Sequence, residues 1–143
     1  MIWLLRHGEA EDSSPDELRK LTSKGKRQAR AAGAALAAMG VKLDSCLTSP
    51  RVRAADTARL ACEALAVEVT SEPALSGGEF DAEQLAAGQG EVLLVGHEPD
   101  FSRAVHDLTG ARVQLKKGGL AGVDGRELRV LMRPRELRAI APS

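Results

Sequence analysis

The chain has 143 residues, of which 43% are hydrophobic, and its 20 acidic residues balance its 20 basic residues. This size is typical of one domain with a sizeable core, and the even charge gives no reason to expect nucleic acid or an anionic membrane as a partner. One Trp, two Phe and no Tyr leave little for stacking on single-stranded nucleic acid. No apolar run approaches the roughly 18 residues of a membrane span, and no signal peptide is visible, so we expect a cytoplasmic protein.

Hydrophobic periodicity predicts strands that alternate with helices. Strand 2–5 comes first, followed by a polar surface loop at 9–20 and an alanine-rich helix at 23–39, with Thr22 or Ser23 as N-cap and Gly40 after its end. The later elements, in order, are predicted as strand 43–48, helix 50–65, strand 67–70, helix 80–87, strand 91–95, helix 99–108 and apolar or alternating segments at 113–115, 120–123 and 128–132, with a hairpin turn at Asp124-Gly125.

This alternation predicts a single α/β domain over residues 1–143, a three-layer α/β/α sandwich with a mostly parallel sheet. The late hairpin predicts an antiparallel edge. Cys46 and Cys62 lie in apolar segments without a CxxC spacing, so we expect two buried free thiols.

Three predicted strands end in a polar turn that contains histidine or arginine. Arg6 and His7 follow the first strand, Arg53 lies just beyond the second, and His97 follows the third. Because ligands of open α/β sheets bind beyond the carboxyl ends of the strands, we expect these four residues to meet. Two guanidinium groups there would bind phosphate oxygens. The sequence has no carboxylate cluster with metal-ligand spacing, so we predict phosphoryl chemistry that needs no metal and no cofactor.

The position of Arg53 favours the same interpretation. With Ser49 as N-cap and Pro50 at N1, Arg53 falls at N4, where a cation opposes the helix dipole by about 0.3–1 kcal/mol. A bound phosphate would offset that cost. The nearby Arg51 is interpreted as a solvated surface residue, and His106, which lies in a predicted helix without a motif, as structural or exposed.

Four motifs, in order along nearly the whole chain, resemble those of the histidine phosphatase superfamily, also called phosphoglycerate-mutase-like. Three are shared with the superfamily at large: Arg6-His7-Gly8-Glu9-Ala10, Ser49-Pro50-x-x-Arg53-Ala54-x-x-Thr57-Ala58 and Gly96-His97-Glu98-Pro99. The fourth, Arg19-x-Leu21-Thr22-x-x-Gly25, is similar to the small SixA-type branch, the phosphohistidine phosphatases.

The resemblance implies roles for individual residues. His7 would be the covalent nucleophile, with its tautomer fixed by a backbone carbonyl or a carboxylate. Arg6 and Arg53 would hold the phosphate oxygens, and a protonated His97 would donate to them. Gly8, Glu9 and Arg19 are further candidates for contacts with phosphate or substrate.

Many superfamily members place a general-acid carboxylate between the second and third motifs. Here the expected position, just before Leu75, is occupied by Ala74. Glu72 and Glu79 are the carboxylates nearby, and neither aligns with the family position. A site without a dedicated acid favours a labile bond such as the P–N bond of phosphohistidine, because an alkoxide leaving group needs a proton.

The sequence therefore predicts a phosphohistidine phosphatase of signal transduction, which releases inorganic phosphate from a phosphotransfer domain or phosphocarrier protein. Two alternatives stay open: a broad phosphomonoesterase of the same superfamily that acts on small phosphorylated molecules, and a non-catalytic phosphate-binding regulatory module. Lys116-Lys117 is interpreted as a solvated turn, with contact to an acidic partner as the other interpretation.

Overall fold

The structure is a computed structural model that describes residues 1–142. Its strands are β1 (Ile2–Arg6), β2 (Ser45–Thr48), β3 (Val69–Ser71), β4 (Val92–Gly96), β5 (Leu120–Asp124) and β6 (Glu127–Met132). Its α-helices are α1 (Ser23–Ala38), α2 (Val52–Cys62), α3 (Ala82–Ala86), α4 (Asp100–Thr109) and α5 (Pro134–Ile140), with short 3₁₀ turns at Asp16–Leu18 and Pro73–Leu75.

The six strands form one sheet in the order β3-β2-β4-β1-β5-β6. Strands β1, β2, β3 and β4 are mutually parallel, whereas β5 runs antiparallel to β1 and β6 antiparallel to β5. The predicted parallel sheet with an antiparallel edge is therefore confirmed. Register aligns the carboxyl ends of the central strands, since Arg6 of β1 pairs with Gly96 of β4 and Thr48 of β2 pairs with Val95.

Helices cover both faces of this sheet, as the predicted three-layer sandwich requires. On β1 and β4, alternate side chains point to opposite faces. Trp3, Leu5 and Leu93 join the cluster that contains residues of α1, α2 and α5, whereas Leu4 and Leu94 join the cluster that contains Phe101 and Val105 of α4. Strand β4 is buried along its whole length because it is paired on both sides and covered on both faces.

The structure differs from the predicted elements near the end of the chain. Segment 113–115 is not a strand, because the Leu115 N–H is taken by the side chains of Glu98 and Ser102. The hairpin turn lies at 125–126, one residue later than predicted, since Asp124 still pairs with Glu127.

Helix α5 was not predicted, although its sequence contains a start signal. Pro134 stands in the first turn, and the Glu136 side chain accepts from the Arg133 backbone N–H. Leu137 anchors the helix in the core with no exposed surface. Among residues 1–142 there is no helix with both the length and the apolar character needed to cross a bilayer.

Candidate active site

The carboxyl ends of β1, β2 and β4 bring the four principal candidate residues to one edge of the sheet. The ring centroids of His7 and His97 are 5.3 Å apart, and Arg53 Nε lies 3.3 Å from His7 Nε2. His7, His97 and Arg53 are all buried. Arg6 ends β1 beside them and is half-buried. Residues that are far apart in the sequence therefore form one compact basic pocket.

Hydrogen bonds and close packing hold the turn that contains His7. The His7 N–H donates to Gly96 O at 3.0 Å, and the Gly8 N–H donates to Thr57 Oγ1 at 3.1 Å. Gly8 packs so closely against α1 that an added Cβ would lie 2.5 Å from Gly25 O. Gly8 is thus needed for the close fit of the turn, and its N–H, a candidate phosphate contact, donates to Thr57 in this structure.

The carbonyl of Gly8 fixes the tautomer of His7. His7 Nδ1 lies 2.7 Å from Gly8 O and donates its proton there, because a carbonyl can only accept. The lone pair of the neutral ring is then on Nε2, which faces Arg53. Of the two anchors predicted for His7, a backbone carbonyl and not a carboxylate is the one present.

Burial keeps His7 neutral. The pKa of its imidazole falls to about 3, mainly through desolvation and further through the charges of His97, Arg53 and Arg6, against a raising effect of the hydrogen bond to Gly8. An unprotonated Nε2 is the form in which histidine acts as a nucleophile.

Helix α2 begins later than predicted. Arg51 is its N-cap and Val52 its first residue, so Arg53 stands at N2 rather than N4 and Ser49 is not the cap. The Ser49 hydroxyl accepts from the Arg51 N–H at 3.1 Å and lies 2.8 Å from His97 Nε2. Because that hydroxyl serves the Arg51 turn and His97, it does not cap the helix. Arg53 remains in the first helical turn, where the dipole favours an anion.

Burial disfavours the protonated form of His97 in the free site, while its protonation with phosphate bound stays a prediction. Its pKa falls to about 4, first through burial and then through the charges of Arg53 and Arg51, so the ring of the free site is neutral at pH 7. When the Ser49 hydroxyl donates to Nε2, the ring proton is on Nδ1. That buried Nδ1 has no hydrogen-bond partner within residues 1–142, so a neutral His97 still has one donor available for an anion.

Arg6 is held against the segment that precedes β5. One terminal nitrogen, Nη1, donates to Leu115 O at 2.9 Å, and the buried Nε has no partner among the described residues. Burial lowers the pKa of the Arg6 guanidinium, and the charge of Glu98 partly offsets this. Arg6 thus keeps donors free for a phosphate oxygen.

Asp16 is a site residue that the sequence analysis missed. Arg53 donates through Nη1 to the Asp16 carbonyl at 2.8 Å and through Nη2 to its carboxylate at 3.2 Å. The same carboxylate accepts from Arg51 at 2.6 Å and from Arg19 at 3.2 Å. These contacts hold the Asp16 pKa below its usual range, mainly through Arg19. The spacing Asp16-x-x-Arg19 in the polar loop was the available signal.

These contacts change the interpretation of two arginines. Arg51 is not a solvated surface residue, because it binds Asp16 and also donates to Ser76 O at 2.6 Å. Arg19 reaches Glu11 O at 2.7 Å and Asp16, not the histidines, so it supports the rim of the pocket.

The other candidate carboxylates make contacts away from the histidines. Glu72 accepts from the Ala74 N–H at 3.0 Å, and the largely exposed Glu79 pairs with Arg103 at 3.5 Å. The backbone N–H of Glu9 donates to Gln28 Oε1, and its carboxylate makes no hydrogen bond to His7 or Arg53 within residues 1–142. Neither Glu72 nor Glu79 makes a hydrogen bond to His7 or His97 within residues 1–142. No group of three or more His, Cys, Asp or Glu side chains in this part of the chain is arranged to hold a metal ion.

The predicted thiols are confirmed as buried and free. Cys46 lies on β2 and Cys62 ends α2. Both belong to the core cluster on the α1 face of the sheet, away from the polar pocket.

A comparison with protein families identifies this arrangement. Residues 2–85, more than half of the chain, match the model of the histidine phosphatase superfamily (branch 1). The chain belongs to the histidine phosphatase superfamily. Membership makes it a hydrolytic phosphatase, and the matched stretch includes His7 and Arg53.

Similar proteins cover nearly the same length. An uncharacterized protein of Picosynechococcus sp. is 29% identical in an alignment that covers 85% of this chain and 83% of that protein. The structure of the protein histidine phosphatase SixA complexed with tungstate is 24% identical, with a TM-score of 0.82 over 95% of this chain and 98% of that one. The alpha-ribazole phosphatase of Shigella flexneri is 21% identical, with a TM-score of 0.70 over 93% and 96% of the two chains. These likenesses to solved structures confirm the fold.

Proposed function

We propose that this phosphatase removes the phosphoryl group from a phosphorylated histidine of a partner protein, through a covalent intermediate on His7. One observation carries the proposal: the hydrogen bond from His7 Nδ1 to Gly8 O leaves a neutral Nε2 in a buried pocket that faces Arg53. A phosphotransfer domain or phosphocarrier protein is the kind of substrate that this chemistry fits.

In the first step, His7 Nε2 attacks phosphorus in line with the scissile P–N bond. The new bond joins phosphorus to Nε2, and the leaving imidazole of the substrate takes the electron pair of the old bond. Arg53 and Arg6 balance charge on the equatorial oxygens, and His97 Nδ1 donates to one of them. In phosphorylated His7, the Nδ1–H still donates its hydrogen bond to Gly8 O.

In the second step, water attacks the phosphorus of phospho-His7. The P–N bond breaks, its electron pair returns to Nε2, and the water proton leaves with inorganic phosphate or passes to solvent. The same donors serve both steps, because the equatorial oxygens stay in place while the attacking and leaving groups exchange sides.

The lack of a carboxylic acid at the family position before Leu75 favours a P–N substrate, because the nearby Asp16 carboxylate is paired with arginines that keep it ionised. Ala74 stands where the family acid was expected, and Glu72 and Glu79 make contacts elsewhere within residues 1–142. Phosphohistidine supplies a leaving group that needs no acid from the enzyme once its ring is protonated. An alkoxide leaving group has no such source of a proton.

A phosphomonoesterase is the second candidate, because the fold is also similar to that of the Shigella flexneri alpha-ribazole phosphatase. Substrate profiling separates the two functions. We expect kcat/KM for a phosphohistidine peptide to exceed that for alkyl phosphate esters by orders of magnitude. Faster turnover of alkyl esters would favour the phosphomonoesterase.

Trapping of the phosphoenzyme tests the mechanism. The protein is incubated with phosphoramidate or a phosphohistidine peptide and quenched in alkali, and the phosphorylated residue is located by mass spectrometry. We expect acid-labile phosphate on residue 7 of the wild type and none on a His7→Asn variant. A His106→Asn variant is the matched control, because His106 is exposed on α4, and it should be labelled like the wild type.

Two results would count against the proposal. Unchanged turnover by His7→Asn would exclude His7 as the nucleophile. Lack of both labelling and turnover in the wild type would favour the non-catalytic phosphate-binding module.

A further inference from the structure

A strongly basic surface borders the candidate site, although the whole chain carries no net charge. It is a depression between α1, α5 and the turn that precedes β5, and we call it the basic groove. Its exposed cationic side chains are Lys24, Arg27, Lys116, Lys117, Arg133, Arg135 and Arg138. All seven residues are exposed.

The basic groove is continuous with the catalytic pocket. A concavity of about 450 Å³ is lined by four cations, Arg6, Lys24, Lys116 and Lys117, and by one carboxylate, Glu9. The adjoining depression shares Lys24 and Lys116 and extends to Arg138. The turn is fixed to the catalytic strand, because the Gly118 N–H lies 3.2 Å from Arg6 O and 2.9 Å from His7 O. The groove therefore begins at the phosphate-binding residues and leads away along the surface.

Most of this positive charge is not neutralised within the chain. Among residues 1–142, Lys24, Arg27, Lys116, Lys117 and Arg138 have no acidic side chain within 4.0 Å. Surface arginines elsewhere do have such partners: Arg59 pairs with Asp56 and Glu63, and Arg129 with Asp124 and Glu127. Clustered cations repel one another, and an anionic partner relieves that repulsion.

We propose that the basic groove docks an acidic segment of the phosphorylated partner protein, next to the phosphohistidine that enters the pocket. This inference rests on the proposed function and adds the recognition of the partner. The basic groove consists of three adjoining depressions that share Lys24 and Gln28, an extent that suits an extended or helical segment better than a small metabolite. A protein partner is favoured over nucleic acid because no aromatic side chain lines the groove for stacking on bases.

Synthetic phosphohistidine peptides of equal length test the proposal. One peptide has three glutamates on each side of the phosphohistidine, one has serines and one has lysines. We expect kcat/KM to be about tenfold higher for the glutamate peptide than for the serine peptide in about 50 mM KCl, the size expected of a few exposed ion pairs. The preference should shrink in about 300 mM KCl through screening.

Charge reversal at the far part of the groove should remove the preference. In an Arg27→Glu/Arg138→Glu variant, the glutamate and serine peptides should differ by less than twofold, and free phosphohistidine should be hydrolysed as by the wild type. The matched control is Lys42→Glu/Arg126→Glu, with the same change of charge. Lys42 precedes β2 and Arg126 lies in the β5–β6 turn, so both residues lie at the opposite end of the sheet, and the control should keep the tenfold preference.

The outcomes separate docking from chemistry. If all three peptides are hydrolysed equally well, the docking proposal is overturned and the proposed function stands. If none is hydrolysed, the proposed function fails, and docking is judged by fluorescence anisotropy with the unphosphorylated glutamate peptide. Weaker binding to the groove variant than to the control then supports docking, and equal binding overturns it. Tighter binding of a DNA oligonucleotide of equal charge would also overturn the assignment to a protein partner.

Discussion

The two buried imidazoles of the site should make folding stability depend steeply on pH. The pKa of His7 is lowered to about 3 and that of His97 to about 4, whereas histidine in an unfolded chain has a pKa of about 6.5. As pH falls below about 6.5, the unfolded chain binds protons that the folded chain does not bind. Acid therefore favours unfolding, and the loss of stability continues until pH reaches the folded pKa values.

The size of the effect follows from linkage. A histidine that is protonated only when unfolded changes the free energy of unfolding by at most about 1.4 kcal/mol per pH unit. Between pH 7 and pH 5, integration with these pKa values gives about 2 kcal/mol for each ring and about 4 kcal/mol for both. A loss of this size is a large share of the roughly 5–15 kcal/mol that stabilises a typical domain.

Urea unfolding at several pH values between 7 and 5 measures this loss. The wild type should lose about 4 kcal/mol more than a His7→Asn/His97→Asn variant over that range. His106→Asn is the control, because this third histidine is exposed on α4, and its pH dependence should match that of the wild type. Carboxylates that titrate in the same range are common to all three proteins and cancel in the comparison. Equal slopes for the wild type and the double variant would refute the neutral, buried state of the two rings.

Two further substitutions test residues that contact the His7 turn and the arginines of the site. Thr57→Val removes the acceptor of the Gly8 N–H, so it should lower the free energy of unfolding in urea by about 1–3 kcal/mol and also lower kcat. The control is Thr109→Val, which removes a comparable acceptor away from the site and should leave kcat unchanged. An equal loss of kcat in both variants would contradict the role of Thr57. Asp16→Asn removes a carboxylate that competes for Arg51 and Arg53, so inorganic phosphate should inhibit at several-fold lower concentration. Weaker inhibition by phosphate in this variant would show that the carboxylate assists anion binding.

The principal site could be predicted because its residues follow a simple topological rule. Arg6, His7, Arg53 and His97 each lie just beyond a predicted strand, and parallel strands bring their carboxyl ends together. Hydrophobic runs located β1, β2 and β4 well enough for this purpose. Errors of two or three residues at the ends of β2 and α2 did not matter, because they left Arg53 in the first helical turn.

Other features could not be predicted from the sequence because they depend on contacts between residues that are far apart along the chain. Asp16 lies in a polar loop that gives no periodic signal, and only its contact with Arg53 brings it into the site. The Ser49 hydroxyl was expected to cap a helix, but His97 lies within hydrogen-bond reach of it. Lys116 and Lys117 are exposed at a turn, as the sequence indicated, but the nearby cations of α1 and α5 could not be predicted from the sequence.

The sequence by itself determined the alternation of strands and helices, the antiparallel edge and the four residues at the strand ends, because local periodicity and motif order encode them. Tertiary structure alone decided the protonation of the histidines, the carbonyl that fixes the His7 tautomer and the clustering of surface charge. Desolvation and electrostatic fields depend on all the groups within a few ångströms, and these come from every part of the chain.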